Sequence, residues 1–245
     1  MKNQYFGDVN DYRKYGLLRT LSRTSGLSIG VCWLLTKDDK RTDGEFRNYL
    51  SAPHLWQHYD SELYNRLQRL LQPGVQRSVR YAREWNLIPQ ATYFEPSLVD
   101  KHTDRDAYFK AAWAALHGCD LIFLDPDNGI EVQSTRRGTR GSAKYVYWLE
   151  LQQAFSRGNS LLIYQHFPRK PRKCFILSLA HRLAEELGAL VTPFLTAHVV
   201  FFLVQQPGHT AALRAATAEV GPVWRGQIDV WPDVWPREPI LKPIQ

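Results

Sequence analysis

The stretch Leu121 to Val132, LIFLDPDNGIEV, joins a four-residue apolar run, Leu121 to Leu124, to an abrupt polar stop at Asp125-Pro126-Asp127-Asn128-Gly129. A short apolar run bounded by turn formers predicts a buried strand. In a parallel α/β sheet, ligands bind in the crevice outside the carboxyl ends of the strands. A strand that delivers two carboxylates and a carboxamide there points chemistry at the crevice. Asp, Pro, Asn and Gly also build ordinary turns, and the four residues alone fit both readings.

Working outward, the pattern before this stretch alternates helices and strands. Asp8 to about Ser25 reads as an amphipathic helix that Gly26 stops, with Asp8 and Asp11 spaced as a capping box. Gly16 inside it predicts close backbone packing, and Lys14, three residues after Asp11, fits a surface pair. Leu27–Thr36 (LSIGVCWLLT) is a strand, and the loop after it carries Asp38, Asp39 and Asp43 at the same kind of strand end as Asp125. Residues 46–86 read as a helical insertion in which arginines alternate with aromatic residues. Gln90–Pro96 is a short strand and Asp104–His117 a helix.

After it comes QSTRRGTRGSAK, Gln133 to Lys144, where Gly138, Gly141 and Ser142 predict mobility and Arg136, Arg137, Arg140 and Lys144 supply charge. A mobile basic loop beside an acidic pocket fits a clamp on a phosphate backbone, and equally a surface loop. Tyr145–Arg157 is a helix. Ser160–His166 is a buried strand ending in Gln165 and His166, with Arg169 in the basic run beyond it. Cys174–Leu187 is a helix, and LVTPFLT with HVVFFLVQQ predicts a terminal antiparallel hairpin. The tail from Pro207 is rich in Pro and Trp, with Trp224, Trp231 and Trp235 expected to pack across the body. These elements predict an α/β fold over 1–245: a single three-layer domain with a mostly parallel Rossmann-like sheet and a C-terminal antiparallel hairpin.

The chain has 245 residues, 44% of them hydrophobic, which excludes disorder as its organising state. A net charge of +7 suits a polyanionic partner. Cys32, Cys119 and Cys174 are too far apart for a metal motif and read as buried thiols of a reducing cytoplasm. No apolar run has the ~18 residues needed to span a membrane, so a cytoplasmic protein with no membrane partner is expected.

The order of elements, with a strand ending in Asp125-Pro126 and a helix bearing Lys14 ahead of the first strand, resembles the Rossmann-like amino-methyltransferases that modify nucleic-acid bases. Its layout is similar to that of the bacterial enzymes that methylate adenine N6 in 23S ribosomal RNA. The resemblance implies that Asp125 and Pro126 hold the exocyclic amine of a flipped base, with S-adenosylmethionine as methyl donor. Two features depart from it. The first strand ends in TKDDKRTDGE, with a single glycine where the family has a glycine-rich turn, and Asp127-Asn128 replace the second Pro and the aromatic of [DN]-P-P-[YF].

A base pocket without its methyl donor leaves carboxylates, a carboxamide and a histidine, a set suited to hydrolysis. The leading expectation is a DNA glycosylase acting on a flipped nucleotide, with modified or foreign DNA as candidate substrate and no cofactor. Asp125 or Asp127 would orient water and stabilise an oxocarbenium-like sugar, Asn128 would read the base or position water, and His166 would assist the leaving base. The pocket would also draw on Asp8, Asp11, Lys14, Asp38, Asp43, Glu131 and Gln165. Arg136, Arg137, Arg140, Lys144 and Arg169 would hold the backbone of a nucleic acid, DNA before RNA. Three alternatives stay open: a base methyltransferase using S-adenosylmethionine, a nuclease holding Mg²⁺ on Asp38, Asp125 and Asp127, and a nucleic-acid binder without catalysis.

Overall fold

The computed structural model describes residues 1–39 and 44–236. Its elements run α1 (Val9–Ser25), β1 (Ile29–Cys32), α2 (Pro53–Trp56), α3 (Ser61–Leu70), α4 (Tyr81–Glu84), β2 (Thr92–Phe94), α5 (His102–Ala115), β3 (Leu121–Leu124) and β4 (Gly129–Ile130). They continue with β5 (Tyr145–Val146), α6 (Trp148–Phe155), β6 (Ser160–His166), α7 (Arg172–Leu187), β7 (Leu190–Leu195), β8 (Val199–Gln205), α8 (Thr210–Val223) and β9 (Asp229–Val230). Among the described residues seven strands form one sheet in the order β2-β1-β3-β6-β8-β7-β9. The first four are parallel to their neighbours, while β8 runs antiparallel between β6 and β7, and β9 pairs antiparallel with β7. The small strands β4 and β5 pair separately.

Three layers follow from the two-residue period of a strand. In β3, Leu121 and Phe123 face a core built with α1, α3 and α8, whereas Ile122 and Leu124 face a core built with α5, α6 and α7. Both faces of the run are therefore buried, and the expected α/β architecture is what the chain adopts. The terminal hairpin is β7–β8, and the strands at Leu121–Leu124 and Ser160–His166 have the expected bounds.

Asp8 caps α1 by accepting from the amides of Asn10 and Asp11. The reciprocal half of the capping box is shifted, because the Asp11 carboxylate takes the amide of Gly7 instead of that of Asp8. Gly16 is required: a Cβ there would stand 1.8 Å from the Trp224 ring. Trp224 is fully buried, Trp231 is half-buried and Trp235 is 57% exposed, so the tail packs through the first of these. That tail also contains α8, a helix hidden from the sequence reading by Pro222 near its end; Leu213, Ala216 and Val220 supply its packing stripe. The insertion at 46–86 is a chain of short helices and turns, of which α3 is the longest. Cys32 and Cys119 are buried as expected, but Cys174 is exposed on α7. No helix among the described residues is long and apolar enough to cross a membrane.

Candidate functional site

The carboxyl ends of β3 and β6, the N-terminus of α1 and the turn before β8 surround a cleft of about 580 Å³. That volume lies in the range of small-molecule sites. Asp8, Asp127 and Tyr164 form its floor, and Asn128, His166 and His198 line its wall. Lys2, Lys144 and Arg169 contribute charge, and Phe46, 65% exposed, stacks on His198 with ring centroids 5.9 Å apart. Beneath the floor a smaller cavity of about 50 Å³ reaches Asp11, Lys14 and Asp125.

Lys14 organises that floor. Its Nζ lies 2.7 Å from Asp11 Oδ1 and 2.7 Å from Asp125 Oδ2, among the rings of Tyr15, Trp33, Phe123 and Tyr164. The surface pair expected for Lys14 is therefore a buried three-membered centre. Burial alone would lower the Lys14 ammonium, but the two carboxylates outweigh it and hold it well above its usual range. Asp125 moves up as well, because burial outweighs the pull of the Lys14 and Met1 ammonium groups. Asp8 is pushed up to about 6 by burial and by the neighbouring Asp11 carboxylate, against the two amides it accepts from. Its second carboxylate oxygen has no partner among the described residues, and Asp8 borders both cavities. Burial also raises the Tyr164 hydroxyl, and burial with the charges of Arg13, Arg172 and His166 lowers the His198 imidazole.

Asp127 is held differently. Its Oδ1 pairs with the Met1 ammonium at 2.7 Å and its Oδ2 accepts from Thr36 Oγ1 at 2.7 Å. The same ammonium donates to the carbonyls of Asp125 and Leu34, and the amide of Thr36 donates to the Met1 carbonyl. Leu34 and Asp125 lie just past β1 and β3. In the order β2-β1-β3-β6 the connections turn in opposite directions between those two strands, which makes this the crevice where open α/β sheets take nucleotide-like ligands. Here Met1 fills it, and Leu34 adopts a left-handed φ of 45°, uncommon for a non-glycine residue, at its edge.

Several expected site residues stand elsewhere. Gln165 does not face the cleft: its Oε1 accepts from the Ile130 amide and its Nε2 donates to the carbonyls of Asn128 and His166, so it clamps the 128–130 turn from behind. Gly129 is obligatory beside it, with φ of 113° and a virtual Cβ 2.2 Å from Gln165. Asp38 accepts from the Gln4 amide and borders a different cavity with Arg77 and Arg80, so it does not join Asp125 and Asp127 as a magnesium ligand. No group of three or more His, Cys, Asp or Glu placed to hold a metal occurs among the described residues. Asp43 lies outside the described residues.

Glu131 and Arg136 line a separate groove with Tyr147 and Arg182. Arg137 binds Glu150 and Asp106, and Arg140 is exposed away from the cleft lining. The 133–144 loop is anchored rather than mobile in its second half, where the Asp100 carboxylate accepts from the amides of Gly141 and Ala143 and Ser142 is fully buried. Asp8, Asp11, Lys14, Asp125, Asp127, Asn128, His166, Lys144 and Arg169 are brought to the cleft or its inner cavity as expected. Phe46, Tyr164 and His198 were missed. An isolated aromatic in a polar stretch and a histidine in a hairpin turn were their only sequence signals.

No family model and no curated protein matches the chain. Among solved structures it is similar to the crystal structure of protein LPL1258 from Legionella pneumophila, family-model DUF519, at 12% identity and a TM-score of 0.42, over 92% of this chain and 96% of that one. Nothing about ligand or reaction follows from a likeness at that level.

Proposed function

We propose that the protein takes a flipped-out nucleotide into the cleft and hydrolyses its N-glycosidic bond. The observation that carries this reading is an acidic floor, in which burial and Asp11 raise the Asp8 carboxyl to about 6, beneath a wall of imidazoles and cations. The inner cavity has room for a water among Asp8, Asp11 and Asp125. That water would attack C1′ of the sugar and give its proton to the Asp8 carboxylate. The C1′–N bond would break with its electrons leaving on the base, which takes a proton from His166. Ion-paired Asp127 would face the positive charge that builds on the sugar. Relative to the sequence reading, the proton-accepting role moves from Asp127, both of whose oxygens are engaged, and from Asp125, which is tied to Lys14, to Asp8, which has no ion-pair partner among the described residues and borders both cavities.

Methyl transfer is the second reading, and the sheet order favours it. A strand reversed between β6 and β7 after the helix-and-strand series fits the layout of the base-modifying methyltransferases that the sequence resembles. Against it stands Met1 in the crevice between β1 and β3, where a nucleotide-like methyl donor would lie. Incubation with a panel of natural and modified nucleic acids, read by mass spectrometry, separates the two. Released free base with an abasic product supports hydrolysis. Added methyl groups, with calorimetric S-adenosylmethionine binding in the micromolar range, would replace it with methyl transfer.

A further inference from the structure

The basic loop at 133–144 is the obvious place to seek a phosphate contact, yet its charge is partly spent. Arg137 is neutralised by Glu150 and Asp106, and Arg136 lines a different groove. A second basic run has no acid paired with it among the described residues. Arg169, Lys170, Arg172 and Lys173, in the turn from β6 into α7, are exposed, and none pairs with a carboxylate among the described residues. The first turn of α7 contains no acidic residue. Arg169 borders the cleft itself, and Arg172 lies close enough for its charge to act on His198 in the cleft wall.

At the same mouth Phe46 projects with 65% of its surface exposed, lying nearly parallel, at 11°, to the His198 ring. A large apolar ring left in water is costly unless something covers it. A string of cations without carboxylate partners, Arg172 resting on the Phe167 ring, beside a stacking platform is the equipment with which proteins bind single-stranded nucleic acid.

We propose that the turn from Arg169 to Lys173 is the track for one nucleic-acid strand. Its phosphates lie on Arg169, Lys170, Arg172 and Lys173, and a base next to the nucleotide in the cleft stacks on Phe46 with His198 behind it. This rests on the proposed entry of nucleic acid into the cleft, but not on the hydrolysis that follows. Acidic peptides would use the cations and leave Phe46 uncovered, which is why a strand with bases fits better.

The test is fluorescence anisotropy of a labelled single-stranded DNA oligonucleotide across a salt series, with the full chain. For R169Q/K170Q/R172Q/K173Q the slope of log affinity against log salt should fall by about 3, since each single-strand phosphate contact contributes about 0.7. F46A should weaken binding roughly tenfold at every salt concentration with the slope unchanged. R69Q/R157Q, two exposed cations elsewhere on the surface, should leave the slope as in the wild type. Equal melting temperatures show that each variant is folded. A quadruple variant with the wild-type slope, a remote pair that lowers it equally, or a wild type that does not bind the oligonucleotide overturns the proposal. Binding that behaves as stated, with no base released from any substrate, keeps the track and removes the hydrolytic reading instead.

Discussion

Two buried ion centres lie on opposite sides of the β3 end, and they are built differently. Arg105 is fully buried and bidentate to Glu150 at 2.6 and 2.7 Å, with its remaining donors on the carbonyls of Ser142 and Tyr145. Arg137 closes the set through Glu150 and Asp106, so two cations meet two carboxylates and the centre is charge-balanced. It lies away from the cleft at the carboxyl ends of β3 and β6, with Arg137 at the edge of the groove beside Tyr147, and it ties α5, α6 and the 133–144 loop together. Around Lys14 the pairing differs: Asp11 and Asp125 share one ammonium, Asp127 holds that of Met1, and Asp8 has no ion-pair partner among the described residues, with Arg13 near enough only for its charge to act on it, beside two cavities. A centre in which every carboxylate is paired holds a scaffold. A centre that leaves one carboxyl without an ion pair and opens on a cleft stores a proton-accepting capacity that folding alone does not need.

The contrast breaks first at Lys14. K14M leaves Asp11 and Asp125 buried together without their cation, and should cost about 3 to 5 kcal/mol in denaturant unfolding at neutral pH. Part of that loss should return on acidification, as the carboxyls protonate. An unchanged midpoint would mean that the floor is not held by this ammonium. R105M should cost about 3 kcal/mol, since Arg137 still faces Glu150, and should free the amides of 141–144 to hydrogen exchange. Protection equal to wild type there would remove its scaffold role.

G129A links the two centres, because Gly129 carries the turn from the acidic floor to β4, which pairs with β5 beside the Arg105 centre. Its Cβ would meet Gln165 at a left-handed backbone position, for about 1 to 3 kcal/mol of destabilisation by thermal unfolding. Q165A in the same background should recover part of this by making room.

D8N gives a stability change of the opposite sign. Asn caps helices as well as Asp does, and it removes a carboxylate crowded by Asp11. The folded-state value of Asp8, raised to about 6 from 3.8, means that the folded chain binds this proton more tightly than the unfolded one. Its contribution to stability therefore falls as pH rises from about 4 to about 6 and stays low above that. D8N should be about 1 to 3 kcal/mol more stable than wild type at pH 7 and should lack this fall. A variant that loses stability at pH 7 would contradict the placement of Asp8.

Much of this frame is legible before any coordinates. The runs at Leu121–Leu124 and Ser160–His166 are too apolar for anything but central strands, and their polar stops mark one edge of the sheet. The cleft residues drawn from those stops follow directly. Asp38 shows the limit of that rule: it also follows a strand, yet the chain turns it toward Gln4 and the cavity with Arg77. Lys14 reads as a surface residue because an i,i+3 pair with Asp11 says nothing about a third partner 111 positions away. Gln165 reads as a pocket residue because alternation along β6 fixes its face but not that the 128–130 turn folds over it. α8 is missed because Pro222 and the neighbouring tryptophans suggest a loop, while its apolar stripe is only Leu213, Ala216 and Val220, buried against α1.

The most direct measurement is single-turnover base release against pH for wild type and D8N, on whichever substrate the product screen identifies. Wild-type release should fall as pH drops through about 6, where the Asp8 carboxylate is lost as proton acceptor. D8N should bind the same substrate and release base at least a hundredfold more slowly, as removal of a general base commonly costs about 10² to 10⁴ in rate. Release by D8N at the wild-type rate, with the same pH dependence, would contradict the claim that the centre around Lys14 and Asp8 is the working one.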